Sequence, residues 1–252
     1  MTAIKILTVS HKEYWLPKDD LYLPIQVGFA KSLGITRDDT GENISSKNKN
    51  YCELTALYWA WKNLDADYIG LDHYRRHFSS KRFGDKKDRI IKTREILKIL
   101  ENVDIILPKK RHYWIETNES QYIHAHNKKD LVILEEVLKE KYPEYMDDYK
   151  KVMKRTYGHR FNMMIMKYEI LNDYCQFLFD VLFEIEKRID ISSYSSYDAR
   201  IYGFLSERLL DVWINKNSKE YKEISYVYME NENWIKKIYK FLERKVRGKN
   251  DE

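Results

Sequence analysis

The sequence predicts an α/β fold with a mainly parallel central sheet, on three observations. Short apolar runs at residues 4–9, 68–71, 104–108 and 161–166 read as buried strands. Between them stand segments with apolar residues at helical spacing, and strands alternating with helices favour a parallel or mixed sheet. Polar clusters adjoin each of these runs, and open α/β sheets place their ligand sites just past the carboxyl ends of strands.

Taken in order, residues 4–9 form the first strand, followed by Ser10, His11 and Lys12. Gln26, Val27 and Gly28 begin a short second element. Residues 36–45 carry turn chemistry and read as a polar loop. Leu54, Leu57, Tyr58 and Trp61 fall at i, i+3, i+4 and i+7, which makes 53–63 a helix leading into the strand at 68–71. A helix over 93–101 is expected to be capped by Thr93. Pro108 closes the strand at 104–108, because proline cannot donate to a ladder. Helices are expected over 130–141, 168–188 and 197–215, a third buried strand over 161–166, and an edge strand over 224–228. Residues 121–127 read as a loop entering a helix.

With 252 residues, 43% of them hydrophobic, the chain can bury one large core. Eight glycines and four prolines leave little room for structureless linkers. Cys52 and Cys175 lie too far apart in sequence for a metal or disulfide framework, and reduced thiols fit a cytoplasmic location. The apolar start is too short for a signal peptide, and no run approaches the ~20 residues of a membrane span.

The densest chemistry is in Asp72, His73, Tyr74, Arg75, Arg76 and His77, directly after a strand. Adjacent guanidiniums form a fork for phosphate oxygens. Neither a P-loop nor G-x-G-x-x-G is present, so side chains would have to do the work that a glycine-rich backbone cradle does elsewhere. Further clusters are Ser10–His11, residues 109–112, and Gly158, His159 and Arg160. His124 and His126 stand two apart without a Cys or HExxH partner, a pattern that favours substrate orientation or plain solvent-facing polarity over metal ligation. Glu207 follows Gly203 by four residues on an otherwise apolar helix and is a candidate general base, since a carboxylate in an apolar setting has a raised pKa; the competing reading is a pair with Arg208 or an internal ion pair with another basic residue. Asp198 is the second choice.

Two runs together, Asn48–Asn63 continuing to Tyr68-Ile69-Gly70-Leu71-Asp72-His73-Tyr74-Arg75-Arg76, resemble a bacterial family found in capsular and exopolysaccharide biosynthesis loci and formerly known only as a domain of unknown function. The motifs from Gly158 to Met166 and from Gly203 to Leu210 are similar to its later ones, so that the likeness covers roughly residues 3–230. Members are regarded as glycosyltransferases, some linked to galactofuranose transfer. The resemblance implies a GT-A-like, Rossmann-type nucleotide-binding domain, a nucleoside-diphosphate sugar donor with UDP as the expected carrier, and a polysaccharide or lipid-linked oligosaccharide acceptor.

It also implies roles. His11, Asp72, His73, Tyr74, Arg75 and Arg76 would bind donor; His159, Asn162, His124 and His126 would meet acceptor; Glu207 or Asp198 would take the acceptor proton if the enzyme inverts. Asp72 and Tyr74 stand where many GT-A enzymes carry the two acids of a D-x-D motif. The second acid is missing, which puts a Mn²⁺ or Mg²⁺ site at Asp72 in doubt and leaves the arginines to neutralise the diphosphate.

Residues 1–230 are thus expected to form the catalytic domain and 231–252 a basic amphipathic tail. Between Trp234 and Lys249 there are seven basic residues and one acid, a pattern that suits peripheral contact with an anionic membrane. Two other classes fit the composition less well. Net charge +5 would permit nucleic-acid binding, but 40 acidic residues oppose a uniform phosphate footprint. A non-catalytic scaffold that binds nucleotide sugars would keep the same motifs.

Overall fold

The computed structural model describes residues 2–28 and 31–230. The basic tail expected over 231–252 lies outside the described residues. The strands are β1 (Ile4–Ser10), β2 (Tyr22–Gln26), β3 (Thr36–Arg37), β4 (Tyr68–His73), β5 (Arg76–Ser79), β6 (Ile105–Pro108), β7 (Arg111–His112), β8 (Tyr157–Gly158), β9 (Met164–Lys167) and β10 (Lys222–Tyr228). The α-helices are α1 (Asn48–Tyr51), α2 (Leu54–Asn63), α3 (Thr93–Leu100), α4 (Asn118–Ala125), α5 (Lys128–Lys141), α6 (Met146–Lys154), α7 (Tyr168–Arg188) and α8 (Ile201–Lys216).

The sheet is built on β1 and β4, which run parallel with Ile4 opposite Tyr68 and Val9 opposite His73. Outside β1 lie β2 and then β3, both parallel. On its other side β4 branches. Tyr68 to Leu71 pair antiparallel with β9, while His73 pairs with Arg76 of β5 across a reversal at Tyr74 and Arg75. From β5 the ladder passes through β10 and β6 back to β9, so β4, β5, β10, β6 and β9 close a ring.

The α/β expectation therefore stands with a correction: the sheet is mixed rather than mainly parallel. A two-residue connection can only reverse the chain, which fixes β5 against β4. β9 runs antiparallel to both of its neighbours, β4 and β6.

Alternation along the strands builds two cores. Leu7, Val9, Ile69 and Leu71 face the large core beneath α2, α5, α7 and α8; Ile4, Ile6 and Tyr68 face the smaller one with Phe78, Ile91 and Ile96 of α3. Where the layers are tightest stands Gly70. A Cβ there would come within 2.9 Å of Ile165 Cγ1, 3.0 Å of Ile6 Cγ1 and 3.1 Å of the Met164 carbonyl oxygen.

Several boundaries differ from the sequence reading. Gln26 ends the second strand rather than beginning it. Thr93 does not cap α3: its hydroxyl donates to Asp19 Oδ1 at 2.7 Å, and Lys92 holds the N-cap with Glu95 accepting its N–H. β10 is not an edge strand, because β5 and β6 flank it. Residues 118–125 are helical, opened by a Thr117–Ser120 capping pair. The expected strand at 161–166 starts only at Met164, since Phe161 (φ 75°) and Asn162 (φ 53°) take the left-handed conformation. Helix 197–215 begins as a short 3-10 turn, Asp198–Arg200, before α8. No helix among the described residues is long and apolar enough to cross a membrane.

Candidate functional site

The carboxyl ends of β1 and β4 are joined by side chains that their register makes neighbours. Thr8 lies opposite Asp72, and its hydroxyl donates to Asp72 Oδ1 at 2.8 Å. His77, on β5, meets Asp72 Oδ2 through Nδ1 at 2.8 Å. Asp72 is buried, and burial pushes its carboxyl up, opposed by His77 and Thr8. Both oxygens are thus occupied, one by a hydroxyl and one by an imidazole, in a site closed to solvent. These residues do not fit a Mn²⁺ or Mg²⁺ site at Asp72, and among the described residues no group of three or more His, Cys, Asp or Glu side chains comes together to hold a metal ion. Asp72 instead ties the strand end to its hairpin.

Past Asp72 the side chains turn toward a crevice of about 270 Å³. His73, Arg75 and Arg76 line it from the hairpin, Arg111 and Tyr113 from the segment around β7, and Arg200 and Glu207 from around α8. His73 Nδ1 accepts from the Arg75 N–H at 3.4 Å, which leaves the proton on Nε2. Burial, then Arg75 and Arg76, hold its pKa down to about 3, so it is neutral at physiological pH. The Nε atoms of Arg75 and Arg76 are buried without a hydrogen-bond partner among the described residues. Arg76 lies on the Phe161 ring at 4.1 Å, while an Arg75 terminal nitrogen lies 3.8 Å from Glu230. Two more guanidiniums are structural: Arg160 donates to Tyr113 Oη and the His159 carbonyl, and Arg208 donates to the Phe204 carbonyl and Gln121.

Of the other residues expected to bind donor, Tyr74 is buried and packs edge-on against His11 and Tyr14 and over His73. His11 is exposed beside it, its pKa lowered by burial of part of the ring and by Arg75 and Lys12. Tyr74 therefore links the β1 and β4 ends, while His73, Arg75 and Arg76 line the crevice itself.

The residues expected to meet acceptor are dispersed. His126 lines the crevice, stacked between Tyr197 at 5.5 Å and Phe204 at 4.0 Å, and its pKa is lowered to about 4 by burial and Arg208. His124 points to solvent, 67% exposed, with Nδ1 2.7 Å from Glu116. His159 is buried between Asp211 at 2.5 Å and Glu223 at 3.3 Å, so both ring nitrogens are engaged by carboxylates of the fold. Asn162 is also buried. Its amide donates to Glu53 Oε1 at 2.8 Å and the Gly203 carbonyl at 3.1 Å, and its oxygen accepts from Ser206, so it serves the packing behind the crevice.

Glu207 lines the crevice, but its setting is not apolar. Oε1 accepts the Phe161 N–H at 2.8 Å, Oε2 accepts from Arg208 at 3.1 Å, and Arg160 lies 3.9 Å away. Asp198 stands behind His126, 3.5 Å from Nδ1, and accepts from Ser195 Oγ at 2.6 Å. Arg111 of the 109–112 cluster lines the crevice, whereas Glu53 and Arg200 were not among the expected site residues. Nothing local marks Glu53, which reads as the start of a helix.

The arrangement offers guanidiniums and a neutral imidazole N–H on one wall, carboxylates on another, and an aromatic stack between them: groups for an anion, a proton and a planar or sugar surface. No curated protein matches the chain. Over 92% of its length it superposes on the solved apo structure of WbbM, a bifunctional glycosyltransferase, with 31% identity and a TM-score of 0.85. The chain spans 46% of that protein. Residues 5–218 match the profile of a family described as a domain of unknown function, DUF4422. This chain, matched from its first strand to the end of its last described helix, belongs to the DUF4422 family.

Proposed function

We propose that this protein is a glycosyltransferase that uses a nucleoside-diphosphate sugar and neutralises the departing diphosphate with arginines. The observation that carries this reading is the convergence of Arg75, Arg76, Arg111 and Arg200 on one crevice just past the β4 end, with buried Nε donors of Arg75 and Arg76 unmatched by acceptors among the described residues. Charge develops on the leaving diphosphate as the sugar–oxygen bond breaks, and preorganised donors aimed at developing charge are a large source of rate. Guanidiniums supply paired N–H groups in a fixed plane. Neutral His73 adds an N–H without requiring a proton from solvent. The likeness to WbbM supports the reaction class.

The finer assignments are UDP as the carrier, galactofuranose as a candidate sugar, and a lipid-linked or growing surface polysaccharide as acceptor. They rest on the motif resemblance. Peripheral contact with an anionic membrane rests on the composition of residues 231–252. The test is release of UDP from a panel of UDP-hexopyranoses and UDP-galactofuranose by the purified full chain. Release that falls at least tenfold in an Arg75→Ala/Arg76→Ala double variant of unchanged melting temperature is the expected result. No release from any donor by the wild-type chain, together with no UDP binding, would overturn the reading.

A further inference from the structure

Two carboxylates line the crevice, and their surroundings divide their work. Glu207 is committed at both oxygens, to the Phe161 N–H and to Arg208. Glu53, immediately before α2, is held by one side-chain bond, Asn162 Nδ2 to Oε1 at 2.8 Å. Asn162 is fixed in turn, because Ser206 Oγ donates to its Oδ1 at 2.8 Å.

Two residues that hold Glu53 take positive φ. Cys52, just before it, has φ 53° and ψ −130°, and Asn162, its hydrogen-bond partner, has φ 53°. Each such residue costs on the order of 1–3 kcal/mol and persists only where its surroundings over-determine it, which is characteristic of active sites. Glu207 supplies part of that over-determination, since its bond to the Phe161 N–H braces the turn that presents Asn162.

We infer that Glu53 is the general base that deprotonates the attacking hydroxyl, and that Glu207 is a positioning residue that braces the turn carrying Asn162. The inference rests on the glycosyltransferase reading above. The step balances simply. The acceptor oxygen forms a bond to the anomeric carbon and its proton passes to a Glu53 oxygen. The bond from that carbon to the diphosphate oxygen breaks, and the electron pair leaves on the diphosphate. Configuration at the anomeric carbon inverts. Water in place of the acceptor gives hydrolysis by the same proton path.

The electrostatics agree. Burial raises the Glu53 carboxyl, Asn162 opposes this, Glu207 raises it further and Arg200 lowers it. The other groups facing that part of the crevice are the Cys52 thiol, pushed up to about 11 by burial, His126, and the hairpin arginines. A carboxylate whose pKa rises toward the working pH accepts a proton in the transition state more readily.

The experiment compares wild type, Glu53→Gln and Glu207→Gln, using UDP release from the most active UDP-hexose across pH 4–9, UDP affinity by calorimetry, and the anomeric configuration of the product. Glu53→Gln should bind UDP like wild type, lose about 10²–10⁴-fold in kcat, and lose the acidic limb of the pH profile. Glu207→Gln should lower the melting temperature and keep that limb. Retention of configuration, an unchanged acidic limb in Glu53→Gln, or a loss confined to KM would overturn the assignment while leaving the enzyme class intact. Failure of wild type to bind UDP or release it from any donor would remove the class and this inference together.

Discussion

At the scale of single residues, the crevice separates side chains that hold the fold from those available to a ligand. Asp72 holds buried His77 and Thr8 by hydrogen bonds, and removing it strands both polar groups. Asp72→Ala should cost about 1–3 kcal/mol for each stranded group, read by denaturant unfolding. Arg75 and Arg76 instead end at the crevice. Each single alanine variant should weaken UDP binding by about 1.5–3 kcal/mol, the scale of a charged hydrogen bond, with little change in melting temperature.

Histidine burial makes a further prediction, with its sign fixed by linkage. His73 and His126 are held to about 3 and 4 in the folded protein, against an ordinary value near 6.5 in the unfolded chain. Between those values the unfolded state binds more protons, so stability must fall as pH drops from about 6.5 toward 4. The slope should reach roughly 1.4 kcal/mol per pH unit for each histidine. Unfolding curves between pH 7 and 4 check this, and His73→Gln should flatten them.

At the scale of elements, what the sequence disclosed depended on how locally each feature is encoded. The strands beginning at Ile4, Tyr68 and Ile105 are unbroken apolar runs, and α2, α5 and α7 carry apolar residues at helical spacing, so all six are legible. α4 is short and largely polar, with Tyr122 as its buried ring, and periodicity could not find it. α6 does carry a signal, with buried Met146, Tyr149, Val152 and Met153 on one face. The position of β10 between two strands depends on partners more than 100 residues away, which no local pattern encodes.

The same division holds at the site. The arginines of the hairpin announced themselves, whereas Glu53 acquires its environment from Asn162 and α8, distant in sequence. The left-handed turn at Phe161 and Asn162 is the element on which that environment depends. Asn162→Ala removes three side-chain bonds and places a residue less tolerant of positive φ there. It should destabilise by about 2–4 kcal/mol and depress turnover beyond the stability loss. Gly70→Ala tests the sheet rather than the site. Its Cβ would crowd Ile6, Ile165 and the Met164 carbonyl, and a penalty of about 1–3 kcal/mol with UDP affinity unchanged is expected.

In the molecule as a whole, a closed five-strand ring carries the crevice at its rim. The hairpin that closes the ring is also the one that carries His73, Arg75 and Arg76, so the fold and the proposed anion site share a structural joint. Asp72, which the motif resemblance sets where many GT-A enzymes carry a metal-binding acid, is engaged inside that joint by Thr8 and His77, and in the proposed mechanism the guanidiniums outside it take the charge. The central claim is therefore that the diphosphate is held by arginines without a divalent ion. Calorimetric titration of UDP into the purified chain in excess EDTA, repeated with added Mn²⁺, tests it most directly. Saturable one-to-one binding in EDTA, strengthened less than threefold by Mn²⁺, is the predicted result; binding that appears only with Mn²⁺, or no binding in either buffer, would contradict it.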